Sequence, residues 1–111
     1  MASRKKLPRR FVQFTKDYPR TAAAYEALGR AVHGEGILST RERALIKFAL
    51  SVGARLEGGA HAHVRKALEA GIEVDKLRHV ALLAIPTIGF PASMAAMSWV
   101  EDVVGGRKKR R

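Results

Sequence analysis

The sequence predicts an all-α protein, a bundle of about six helices with antiparallel neighbours. Three observations lead there. No segment alternates apolar and polar residues over a strand's length, and no Asn-Gly or Asp-Gly hairpin signal occurs. Prolines and glycines fall where helices start and stop. One helix, over residues 40–54, is apolar on nearly every side, which suits the domain centre or a subunit interface.

The elements follow in order. Pro8 opens a short helix carrying Phe11 and Phe14. Pro19 opens a second, with Ala22, Tyr25 and Leu28 at helical spacing and Gly34 and Gly36 ending it. Ser39-Thr40-Arg41-Glu42 is a capping box: Ser39 caps the first amides and Glu42 reaches back. The helix it starts presents Ala44, Leu45, Ile46, Phe48, Ala49, Leu50 and Val52, and its long polar stripe is Arg43, Lys47 and Ser51. Residues 57–70 form the next helix, with Ala60, Val64, Ala67 and Leu68 inward and Gly71 as its stop. Residues 74–85 form another, with Leu77, Val80, Ala81 and Ala84 inward, interrupted by Pro86. Thr87-Ile88-Gly89-Phe90-Pro91 reads as a turn into a last helix bearing Met94, Met97, Trp99 and Val100, which Gly105-Gly106 releases. Short loops between these helices favour antiparallel neighbours.

The chain has 111 residues, 47% of them hydrophobic, which suits one domain with a packed core. It contains no cysteine, which excludes a disulfide scaffold, a thiolate metal site and a thiol redox relay of its own. The formal net charge is +11, from 21 Lys and Arg against 10 Asp and Glu. That excess sits at the ends. Arg4, Lys5, Lys6, Arg9 and Arg10 mark a basic arm over residues 1–10, and Arg107, Lys108, Lys109, Arg110 and Arg111 a basic tail over 107–111. Between them, residues 11–106 make a single, nearly neutral helical domain. Such tails either bind a polyanion, nucleic acid included, or serve as solvated termini. The first basic residues lead into Leu7-Pro8-Arg9-Arg10 and not into an apolar signal segment, and the longest nearly apolar run, residues 80–90, is too short to span a bilayer. A cytoplasmic protein without membrane contact is expected.

The four histidines show no metal-ligand spacing. His61 and His63 are two apart and point about 200° apart on a helix. Glu57 and His61, four apart, form a local pair. No metal and no cofactor is called for. His63 borders the apolar face of its helix beside Gly59, Ala60, Ala67 and Ala70, small neighbours that leave room for a guest. It serves either as a general acid or base near neutral pH, or as a core-edge histidine bonded to a carbonyl. Arg43 and Lys47 either hold an anionic substrate or form the one strip of their helix that reaches water.

The stretch LSTRERALIKFALSVGARLEGGAHAHVRKALEAG followed by VALLAIPTIGFPASMAAMSWVED, residues 37–104 broadly, resembles the carboxymuconolactone decarboxylase and alkylhydroperoxidase D-like family. The most specific parts are Ala62-His63 through Gly71 and the turn Gly89-Phe90-Pro91. The resemblance implies paired antiparallel helices assembled as a trimer or hexamer. It also implies that the hydroperoxidase branch's C-x-x-C pair falls on Leu56 and Gly59 and its relay glutamate on Ala44, so that only the histidine, His63, survives. The lactone decarboxylase branch, which lacks those cysteines and works by acid/base chemistry on a dicarboxylate lactone, agrees better. The expected site is therefore His63 as acid/base, Arg43 and Lys47 as charge for a small anion, and Ala44, Phe48, Leu56 and Gly59 as lining. The alternative is a non-catalytic oligomer that displays its tails to nucleic acid or another polyanion.

Overall fold

The structure, a computed structural model, describes residues 7–109. Among these residues every regular element is a helix, in two compact units, Met1–Ile37 and Leu38–Arg111. Helices α1 (Arg9–Asp17) and α2 (Pro19–Gly34) make the first. The second contains α3 (Thr40–Gly53), α4 (Glu57–Glu69), α5 (Val74–Leu83), the single turn α6 (Ile85–Ile88) and α7 (Phe90–Lys109). The expected six helices are present, and the seventh segment is the turn that Pro86 starts.

In the first unit Tyr18 leaves helical geometry, at φ −132° and ψ 65°, between Asp17 and Pro19. Proline at the first position of α2 has no amide to donate, and Tyr18 before it cannot stay α-helical without clashing with the ring. Phe14 and Tyr18 pack across this corner with ring centroids 5.5 Å apart. Two helices bury little: of α1 and α2 only Ala22 is buried, and Tyr25, Leu28 and Val32 stand more than half exposed along one side of α2.

In the second unit the capping box at the start of α3 forms as expected. The Ser39 amide donates to Glu42 Oε1 at 2.9 Å, and the Glu42 amide donates to Ser39 Oγ at 3.1 Å. Helices α3 and α4 both end in a reciprocal pair of backbone bonds. At the end of α3, Arg55 N donates to Val52 O (3.0 Å) and Leu56 N to Ser51 O (2.9 Å). At the end of α4, Gly71 N donates to Leu68 O (3.0 Å) and Ile72 N to Ala67 O (2.9 Å). Both require a left-handed residue, Gly71 at φ 89° and Arg55 at φ 62°.

The core contains Phe48 of α3, Val64 of α4, Leu77 of α5 and Val100 of α7, all completely buried. Two polar ties bind α5 to α7. Buried Ser93 donates its hydroxyl to Ala81 O at 2.7 Å, and Arg78 makes a forked pair with Glu101, at 2.8 and 3.2 Å. Between these helices Gly89, at φ 111° and ψ 156°, takes a conformation essentially open to glycine alone. This accounts for the glycine of the Gly-Phe-Pro turn.

The structure corrects two expectations. Ser51 does not continue the polar stripe: it is buried and satisfies itself by donating to Phe48 O at 2.7 Å, so a hydroxyl was read as solvent-seeking that needed no solvent. Gly105-Gly106 does not release the tail. Helix α7 runs through it to Lys109, because Val103 and Val104 pack on the core and hold the helix up to the glycines, each of which costs only about 1 kcal/mol there. Arg9 and Arg10, the last basic residues of the expected arm, open α1, the helix that Pro8 starts. Arg4, Lys5, Lys6, Arg110 and Arg111 lie outside the described residues.

Candidate functional site

His63 projects from the middle of α4, half-buried. Burial, then Lys66 and then Lys47 hold its pKa below the ordinary imidazole value of 6.5, so it is neutral at pH 7. Lys66 follows His63 by three residues on α4, and Lys47 comes from the neighbouring α3. The Lys47 ammonium is itself pushed below its usual 10.5 by burial, then by Lys66 and by Arg43. These shifts describe one patch: an imidazole with two lysines near it and a guanidinium beyond. The Arg43 guanidinium folds back over the start of its own helix, donating to Leu38 O at 2.9 Å and to Thr40 Oγ1 at 3.3 Å.

The other expected site residues scatter. Phe48 is fully enclosed in the core, and Ala44 packs partly against the same cluster. Leu56, at the start of α4, is 56% exposed. Gly59 sits where α4 approaches α3: a Cβ built on it would lie 3.5 Å from Leu56 Cβ and 3.6 Å from Ser51 Cβ. An apolar cleft of about 340 Å³ opens along a different stripe of α3, between Ile46, Ala49 and Gly53 on one side and Val80, Leu83 and Ile88 on the other. None of the expected site residues lines it.

Sequence reasoning missed Lys66. Its spacing of three from His63 was a readable signal, whereas its proximity to Lys47 depends on how α3 packs on α4. His61 proves to have a second neighbour besides Glu57: its Nε2 lies 3.0 Å from Asp102 Oδ2 of α7.

The sequence profile of the carboxymuconolactone decarboxylase family matches residues 19–102. The chain belongs to this family. The match begins at α2, earlier than the motif-bearing stretch at 37, and reaches into α7. No curated protein and no solved structure matches the chain. As a carboxymuconolactone decarboxylase family member it is all-helical over its described residues and has no cysteine anywhere in its sequence. Among the described residues no helix is long and apolar enough to cross a membrane.

Proposed function

We propose that the protein is a cysteine-free, carboxymuconolactone decarboxylase-like enzyme that performs acid/base chemistry on a small anion. His63 transfers the proton, and Lys47 and Lys66, with Arg43 beyond, attract the charged end of the substrate. The observation that carries this reading is the placement of a half-buried His63 beside Lys66 and Lys47, which with burial lowers its pKa. A neutral imidazole at pH 7 is a base ready to accept a proton. A carboxylate bound between the lysines offsets the charges that disfavour imidazolium, so substrate binding itself improves His63 as a proton acceptor. The substrate carboxylate then leaves as carbon dioxide, its bonding electron pair stays on the substrate as a carbanion, and His63 delivers to that carbanion the proton it has accepted from solvent. Gly59, one helical turn before His63 on α4, adds no side chain on that side of the ring and leaves room for the substrate.

The same reading includes a cytoplasmic homo-oligomer, a trimer or hexamer. In one chain Ile46, Leu50 and Leu83 are 42%, 66% and 54% exposed, a large apolar area for a soluble surface to leave uncovered. A second reading, polyanion or nucleic-acid binding through the basic tails, draws on ten of the 21 basic residues standing within 1–10 and 107–111. It predicts binding that collapses as salt rises.

The deciding experiment follows turnover of carboxymuconolactone and related dicarboxylate lactones by the wild type and His63→Gln, with circular dichroism as the control for folding. Loss of turnover in a folded variant supports His63 as the proton-transfer group. Unchanged turnover refutes it.

A further inference from the structure

Glu57, His61 and Asp102 meet where the start of α4 approaches the later part of α7. Glu57 and His61 are one helical turn apart on α4 and so share a face, the spacing by which i, i+4 side chains grip one ion. Asp102 reaches them from 41 residues away. His61 Nε2 lies 3.0 Å from Asp102 Oδ2 and 3.9 Å from Glu57 Oε2. One ligand atom from each of the three residues falls within 4.8 Å of the others.

Both carboxylates converge on the same nitrogen. A single N–H at Nε2 can serve Asp102, which leaves Glu57 beyond hydrogen-bond range and next to a like charge. A divalent cation in place of that proton takes all three donors at once. We propose that Glu57, His61 and Asp102 form a binding site for a divalent first-row transition-metal ion of the Zn²⁺ type.

The donor set selects the class. One imidazole nitrogen with two carboxylate oxygens suits Zn²⁺ and its neighbours better than Mg²⁺ or Ca²⁺, which favour oxygen ligands alone. Tetrahedral Zn²⁺ with bonds of about 2.0–2.2 Å sets its ligand atoms about 3.3–3.6 Å apart, between the two observed separations. Three protein ligands leave a coordination position for water. The side chains of Glu57 and Asp102 are 62% and 54% exposed, so an ion can reach the site from solvent and Glu57 can close the remaining gap, about an ångström, by rotamer adjustment. The site is separate from the proton-transfer patch, since His61 and His63 lie on different faces of α4. A bound ion ties the start of α4 to α7.

The test is calorimetric titration of Zn²⁺ into the untagged full chain after chelator treatment and dialysis. The expected result is one tight equivalent per chain, weakened at least about tenfold by His61→Ala and by Asp102→Asn, and unchanged by His63→Gln. The thermal midpoint rises with Zn²⁺ in the wild type and not in His61→Ala. Asp102→Asn preserves shape, so it answers even where His61→Ala folds poorly. Equal affinity of wild type and Asp102→Asn, or loss of binding in His63→Gln, overturns the site. Failure here leaves the reading of His63 intact, and failure of that reading leaves this site intact.

Discussion

Exchanging the demands at two helix ends gives opposite stability changes, because α3 and α4 finish in the same backbone motif with different residues at its left-handed position. Gly71 holds that position in α4 at φ 89°, and Arg55 holds it in α3 at φ 62°. In Gly71→Ala the new Cβ meets only Arg41 Nη1, at 3.6 Å, which is ordinary contact with the end of a flexible side chain. Steric overlap therefore contributes nothing, and the change isolates the backbone. An L-residue in the left-handed region costs about 1–2 kcal/mol. Alanine recovers about 0.4–1 kcal/mol of that by restricting the unfolded chain. The net expectation is a loss of about 1 kcal/mol for Gly71→Ala and a gain of similar size for Arg55→Gly. In a domain of this size that is a shift of about 4–8 °C in Tm, downward for the first and upward for the second. Urea unfolding at fixed protein concentration measures both, since any assembly makes the midpoint depend on concentration. Destabilisation by Arg55→Gly together with a neutral Gly71→Ala would refute the reasoning, because it would mean that neither helix ends in the left-handed geometry described.

Two further predictions follow from the site and from the surface. His63 has a folded pKa below its unfolded value of about 6.5, so the unfolded chain takes up a proton that the folded one resists. Its contribution to stability is therefore constant above about pH 6.5, and is lost as pH falls from there through the folded pKa. Lys66→Gln removes a repelling charge, raises the His63 pKa in an NMR titration of the ring and shallows this acid-side loss; an unmoved pKa excludes Lys66 as a cause. Leu50→Glu places a charge on the exposed apolar side of α3 and is expected to shift the chain from an oligomer to a smaller species by light scattering, with helicity retained. A wild type already monomeric would show that this face is not a subunit contact.

The helical framework was written locally. Ser39 and Glu42 announce a helix start, Gly71 announces a stop and Pro86 a break, and each acts within a turn or two of itself. Periodicity likewise gave the inward faces of α4 and α5, because Ala60, Val64, Ala67, Leu77 and Ala81 recur at the helical period and are buried. Arg55 was illegible, since nothing in its identity asks for a left-handed backbone. Ser51 was misread for a related reason: a serine can satisfy its hydroxyl on its own helix.

By itself the sequence determined the helices, their caps, the absence of any thiol and the presence of one histidine on the edge of an apolar face. Tertiary structure alone decided which charges surround that histidine and which acid meets its neighbour His61. Lys47 lies 16 residues before His63, and Asp102 lies 41 after His61. Helix signals decay within a few residues along the chain, whereas electrostatics and ligand geometry depend on distance through space. Only the packing of α3 and α7 against α4 supplies that distance.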